Sequence, residues 1–218
     1  GVRLTSNDML HKGDWITVKS VDANGIVEDM SLTTVKVRNF DNTIVTISPA
    51  TLVNGSFQNW IGMQKSGGRR VKRIVYFDFR SIRLVDETLK QTLLAKHFAT
   101  EDSFKLKESL QKAIEKDIEE GKDIEDLKNP AALAPTNLQL YRRFMEKYLR
   151  QRPEVNTELT LMVRHMEATQ CGLPIEFYFF IKDKVWVNYE HILADIMEHA
   201  YALANEFGLK IYEQYPEQ

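Results

Sequence analysis

Residues able to do chemistry are present in this chain, but their spacing restricts what they can do. His191, Asp195 and His199 fall at i, i+4 and i+8, so a helix would put all three on one face with a spacing that suits a divalent cation. No H-E-x-x-H pattern accompanies them and no cysteine joins them, so they read as a solvated polar face. His165 and Glu167 share one face of an expected strand and are equally ordinary. The acidic run Asp117 to Asp126, DIEEGKDIED, lacks the D-x-[DN]-x-[DN]-G order of a calcium loop and reads as a helix end followed by a turn. No serine sits in a G-x-S-x-G elbow. The expectation is therefore no catalytic residue, no metal site, no cofactor and no enzyme activity.

The remaining chemistry is electrostatic. Lys65, Arg69, Arg70, Lys72, Arg73, Arg80 and Arg83 stand against Asp78 alone, with Tyr76, Phe77 and Phe79 interleaved. Cations that track phosphate beside aromatics that stack bases are a nucleic-acid signature. Yet no aromatic-glycine string of the RNP1 kind appears, and the whole chain carries a net charge of −2. A soluble nucleic-acid-binding module is thus the alternative reading, and no nucleic acid is the expected outcome.

The elements that would position these residues fall into two groups. Between Gly13 and Asn59 several short β runs follow one another: Trp15-Ile16-Thr17-Val18, Gly25-Ile26-Val27-Glu28, Val35 to Arg38 and Ile44 to Ile47. Ser6 or Asn7 is placed to cap a short helix through Lys12, with Gly13 as its stop. Asp22 to Gly25 is turn chemistry, with Gly25 supplying a positive φ. Asp41-Asn42 suits a two-residue hairpin turn, and Pro49, lacking an N–H, ends the ladder. Val35, Val37, Ile44 and Ile47 are the expected core. Short strands with tight turns favour a closed barrel, because closure removes free edges.

After Gly62, Ser66, Gly67 and Gly68 the character changes. Residues 1–85 carry 12 Lys/Arg against 7 Asp/Glu, and residues 86–218 carry 17 against 24, which places a boundary near 60–70. A strand over 70–79, a helix capped by Asp86, strands over 159–165 and 175–181, a helix Tyr189–Phe207 stopped by Gly208, and a strand Leu209–Tyr212 give the order β-α-β-β-α-β. Two further helices, Phe104–Glu120 and Asn137–Arg150, make an insertion at about 100–152. The lone Cys171 forms no internal disulfide and reads as a buried or half-buried thiol that behaves as a small hydrophobe. The most apolar run, Phe177 to Ile181, is far short of the ~20 residues a spanning helix needs. Arg3, Asp8 and His11 leave no room for a signal peptide, and the chain, which starts with Gly, is expected to be a piece of a longer protein.

The residues Gly13, Asp14, Gly25, Val27, Thr34, Val35, Arg38, Asp41, Pro49 and Asn59, in this order, resemble the β-domain pattern of the small-conductance mechanosensitive ion channel family. Gly68-Arg69-Arg70-Val71-Lys72-Arg73, Gly172-Leu173-Pro174-Ile175-Glu176-Phe177, Trp186-Val187-Asn188-Tyr189-Glu190 and Glu206-Phe207-Gly208-Leu209 extend the likeness, chiefly to the larger-insert, miniconductance-type bacterial subgroup. Asp41-Asn42 departs from the family's usual Asp-Gly, and Ile47-Ser48-Pro49 from its Ile-Pro-Asn.

That resemblance implies an α+β architecture: a small Sm-like β barrel over 13–62, then a ferredoxin-like βαββαβ domain over 68–218 with the helical insertion. Residues 1–12 would be a stub following a pore helix that this chain lacks. It also implies a homo-oligomeric ring, usually of seven subunits, reaching the lipid bilayer through helices outside this chain. The parent protein would sit in a bacterial inner membrane with this portion in the cytoplasm, enclosing a vestibule. Tension would open the pore and release ions and small osmolytes in hypo-osmotic shock.

Overall fold

A computed structural model of the chain describes residues 8–123 and 132–214. The chain divides into two units, Gly1–Arg69 and Arg70–Gln218, and each has its own cluster of buried apolar side chains.

In the first unit five strands form one sheet. They are β1 (Trp15–Val18), β2 (Ala23–Met30), β3 (Val35–Asn39), β4 (Ile44–Ile47) and β5 (Gln58–Asn59), in the order β4-β3-β2-β1-β5. Every pairing is antiparallel. Val35 and Val37 are buried while Lys36 is exposed, because successive strand residues point to opposite faces. Val37 pairs with Val27 and Val35 with Ile47, and Leu10, Ile16, Val18, Ala23 and Leu52 complete the core. Each large aliphatic side chain buried there stabilises by about 1.5–3 kcal/mol. The short helix α1 (Pro49–Asn54) starts under a Ser48 cap, whose hydroxyl accepts from the Thr51 N–H at 3.2 Å. Pro49 takes its first position, where a missing N–H costs nothing. A second short helix, α2 (Ile61–Lys65), follows β5.

Several expectations for this unit are corrected. The outer strands β4 and β5 are not neighbours in the sheet, so no barrel closes among the described residues. Ile44 is 48% exposed, because its parity puts it on the face of exposed Thr46 and opposite buried Ile47. Gly25 has no positive φ; Asp22 (φ 53°) takes the left-handed turn instead. Gly25 lies within extended β2, where a Cβ would stand 1.9 Å from the Arg38 carbonyl oxygen. The β3–β4 turn is longer than two residues. Asn42 N–H donates to the Asn39 carbonyl and Asn39 N–H to the Thr43 carbonyl, with Asn42 alone left-handed (φ 69°), the three-residue turn closed by a bulge. Residues 8–12 contain no helix, with a turn at Lys12-Gly13, and Gly13 does adopt φ 94°; Ser6 and Asn7 lie outside the described residues.

The second unit has the strand order β6-β8-β7, with β6 (Arg69–Phe77), β7 (Met162–His165) and β8 (Leu173–Ile181). Its helices are α3 (Glu87–Ala95), α4 (Glu108–Glu119), α5 (Asn137–Gln151) and α6 (Trp186–Glu206). Asp86 caps α3 by accepting from the Leu89 N–H at 2.8 Å, and Gly208 (φ 70°) follows the end of α6 in the left-handed region. Alternate residues of β8, Ile175, Phe177, Phe179 and Ile181, enter the core with buried residues of α5 and α6. The expected strand over 209–212 shrinks to a single antiparallel bridge, Ile211 to Phe77. Bonds from the Asp78 N–H to the Lys210 carbonyl and from the Tyr212 N–H to the Tyr76 carbonyl flank it.

Two polar features tie this core. Asn137 is fully buried and meets all its hydrogen-bonding capacity: its amide donates to the carbonyls of Ser81 (2.8 Å) and Phe207 (3.1 Å), and its oxygen accepts from the N–H of Arg83 (3.0 Å) and Leu138 (2.9 Å). The Tyr141 hydroxyl donates to the Ala200 carbonyl, joining α5 to α6, and burial pushes that phenol far above its ordinary pKa. On α4 the expected apolar stripe stops early. Ile118 is 62% exposed, and Asp117 is the buried residue, paired with Lys122 at 2.6 Å. Cys171 is exposed rather than buried, because it sits in the tight turn closed between Thr169 and Gly172. No helix among the described residues is long and apolar enough to cross a membrane.

Candidate functional site

The residues picked out by the β-domain pattern do not scatter. Several converge where the chain enters the first unit. Gly13 donates its N–H to the Val27 carbonyl at 2.8 Å, and Val27 returns a bond to the Asp14 carbonyl at 2.8 Å, so the β1–β2 ladder runs on past Trp15. The Asp14 side chain is buried, and one carboxylate oxygen accepts from the His11 N–H and from the Asn59 amide, both at 2.9 Å. Asn59 also donates to the Met9 carbonyl at 3.2 Å and accepts from the Ile61 N–H at 3.0 Å. Leu10, between these anchors, is fully buried. The entering segment 9–14 is thus pinned to the sheet by a shared carboxylate–amide pair and by one apolar side chain.

The other pattern residues hold the far end of the sheet. Arg38 bonds Glu28 on β2 at 2.9 Å and the Asn42 carbonyl at 3.3 Å, linking β2, β3 and the turn. Glu28 raises the guanidinium pKa further, so this charge persists at any working pH. Asp41 accepts from the Thr43 hydroxyl at 2.6 Å and the Thr43 N–H at 3.0 Å, and these bonds hold its carboxyl below the ordinary range. Thr34 closes the β2–β3 loop, its carbonyl accepting from the Ser31 N–H at 2.8 Å and its hydroxyl meeting that of Ser31 at 3.0 Å.

One cluster was missed by the sequence reading. Trp15 stacks on Trp60 at 4.5 Å and meets Phe40 edge-on at 5.5 Å, with the Arg69 guanidinium 5.4 Å from the Trp15 ring centroid. Trp15 donates to the Asn24 side chain at 2.8 Å, and Trp60 donates to the Thr17 hydroxyl at 3.0 Å. The available signal was parity: Trp15 and Thr17 share the outer face of β1, and Trp60 directly follows the strand that pairs with it.

The remaining candidates take structural roles. His199 bonds the Asp195 carbonyl through Nδ1 at 2.7 Å and stacks on Tyr148, while His191 is exposed on the same helix. His165 and Glu167 are exposed. Among the described residues no group of three His, Cys, Asp or Glu side chains could hold a metal ion. Of the acidic run, residues 124–126 lie outside the described residues, and Asp117 and Glu120 share Lys122. The basic stretch is dispersed: Arg80 is forked onto Asp78, Arg83 pairs with Asp86, and Arg70 lies over the Tyr178 ring, while Lys72 and Arg73 are exposed. Phe77 is in the core and Phe79 lies beyond the strand, so the aromatics do not make one stacking platform.

Residues 1–62 match the family described as the β-domain of mechanosensitive ion channels. In fold, the chain is similar to Arabidopsis thaliana MSL1, with a TM-score of 0.60 at 10% identity over 98% of this chain and 56% of that one. It is similar as well to Helicobacter pylori MscS in its closed state, with a TM-score of 0.57 at 11% identity over 100% of this chain and 61% of that one. The chain therefore spans a little more than half the length of the solved channels it matches. Residues 1–62 therefore carry a β-domain of the mechanosensitive ion channel kind, and the chain shares the fold of the matching part of those two solved channels.

Proposed function

We propose that this chain is the vestibule-forming portion of a tension-gated channel, with a pore helix leading into residues 1–12. The observation that carries the reading is the pinning of segment 9–14 by Asp14, Asn59 and buried Leu10. A segment so fixed cannot move without moving the sheet, so displacement of a preceding pore helix would reach the first unit directly. Bilayer tension then favours the state of larger in-plane area, and the pore opens by population shift.

On this reading the first unit is an Sm-like domain whose free sheet edges meet neighbouring subunits in a ring of about seven. The second is a ferredoxin-like domain, a reading supported by the strand order β6-β8-β7 together with the Ile211 bridge beyond β6. The helices α4 and α5, which follow α3 and precede β7, are the insertion of the miniconductance-type subgroup. The parent protein resides in a bacterial inner membrane, and this portion lines a cytoplasmic chamber through which ions and small osmolytes leave. The test is expression of the full-length protein in cells stripped of their own mechanosensitive channels. Survival of hypo-osmotic shock, with suction-activated currents in excised patches, is expected; shock death and silent patches at lytic tension would overturn the reading.

A further inference from the structure

Within the second unit a cavity of about 240 Å³ opens between the end of α3, the turn that follows it, and α5. Its walls separate by chemistry. Phe98 and Phe144 meet edge-to-face at 5.2 Å and, with Leu140, give an apolar side. Arg143 and Lys147, one turn apart on α5, give a cationic side, and His97 and Thr100 also line it.

Three features separate this cavity from an ordinary surface dent. First, neither Arg143 nor Lys147 has a carboxylate partner among the described residues, although the chain is net acidic. The acids that neighbour the lining residues in sequence have other partners: Glu101 meets Lys90 at 3.5 Å, Asp102 meets Lys105 at 2.7 Å, and Glu146 accepts from the Val163 N–H at 2.9 Å. Like charges placed one helical turn apart repel, so the arrangement invites an anion between them. Second, His97 (φ 60°) occupies the left-handed position of a Schellman stop, with His97 N–H bonded to the Leu94 carbonyl and Phe98 N–H to that of Leu93. Glycine is the default there, and His instead puts an imidazole on the cavity wall. Third, Thr100 and Ser103 bring hydroxyls to the same wall, linked to each other at 3.3 Å.

From this we infer that the cavity binds a compact aromatic oxyanion, a ring bearing one phosphate or carboxylate group. The ring packs on Phe98 and Phe144, and the charged end lies between Arg143 and Lys147, where a guanidinium fork matches either oxyanion. The volume lies below the usual range for drug-sized ligands, which sets the small size. The inference goes beyond the channel reading and does not depend on it: it assigns the helical region a small-molecule sensor site.

Calorimetry and ligand-observed NMR on the 218-residue chain test it, with phenyl phosphate and benzoate as probes and inorganic phosphate and phenol as the two halves. At least one aromatic anion is expected to saturate a single site, about tenfold or more tighter than either half, and the better of the two identifies the oxyanion. Arg143→Gln and Lys147→Gln should each weaken it about tenfold, because each removes a charge-assisted hydrogen bond. Arg150→Gln, elsewhere on the same helix, should leave it unchanged. Binding of inorganic phosphate as tight as that of the aromatic anions, an equal loss in Arg150→Gln, or no saturation by either aromatic probe at millimolar concentration would overturn the inference.

Discussion

Asn59 and Asp14, 45 residues apart in sequence, meet at 2.9 Å through an amide donor and a buried carboxylate, and the same amide nitrogen holds the Met9 carbonyl at 3.2 Å. One side chain on β5 thereby fastens both the start of the sheet and the segment that feeds it. Asn59→Ala removes a donor to a charged acceptor and leaves a backbone carbonyl without its partner, so it should destabilise the first unit by about 1.5–3 kcal/mol. A double-mutant cycle with Asp14→Ala, followed by urea unfolding, should show strong coupling between the two positions. Additive losses would show that the pair is not the fastener.

Gly25 is fixed by a close approach. Any Cβ there falls 1.9 Å from the Arg38 carbonyl oxygen, which is backbone and cannot swing aside. Gly25→Ala should force β2 and β3 apart and cost about 2–4 kcal/mol, whereas Gly62→Ala, with open space at the Cβ, should stay within about 0.5 kcal/mol. Thermal melts of the two variants compare them directly.

Asn137 sits where three segments converge, and its removal strands several buried groups at once. Asn137→Ala should destabilise the second unit by about 2–4 kcal/mol. Asn137→Asp keeps the oxygen acceptor but loses the amide donors to Ser81 and Phe207, so it should not rescue. Hydrogen exchange at the Arg83 and Leu138 amides is the most direct readout, since both N–H groups donate to Asn137. Unchanged protection in Asn137→Ala would refute the role.

Asp41 offers a pH test. Its carboxyl is held down first by the Thr43 hydroxyl and then by the Thr43 N–H, and a depressed folded-state pKa adds stability above the unfolded-state value near ~3.9. That contribution is lost as pH falls through the folded-state pKa. NMR titration of the native chain should therefore place Asp41 below ~3.9, and Thr43→Val should raise it. The stability gap between wild type and Thr43→Val should narrow as pH drops below about 4. A gap independent of pH would mean the hydroxyl acts by packing alone.

Much of the architecture was legible because it is local. The Val35/Val37 alternation, the end of the ladder before Pro49, the Asp86 helix start and the Gly208 stop each depend on a few adjacent residues, and the structure has them where the pattern puts them, while the Ser48-capped helix that Pro49 opens was not foreseen. The misreadings share another origin. Ile44 and Ile118 are apolar residues whose faces are decided by which neighbours arrive from elsewhere in the chain, and Gly25 answers to a strand that pairs with it across a loop. The pinning of Met9 by Asn59 and the hub at Asn137 depend on partners 50 and 54 to 70 residues away, beyond any spacing rule. The β-domain pattern is a list along the chain, and which of its residues bond to one another is not written in their order.

The two clusters of buried side chains share no residue, and the one in the first unit is far the smaller. A unit of that size hides a smaller fraction of its surface on folding and so stands closer to its melting point. Heating should then give two endotherms rather than one, the β unit opening while the α/β unit is still intact. A single denaturation midpoint would then average two transitions, and a substitution in the β unit should shift chiefly the earlier one.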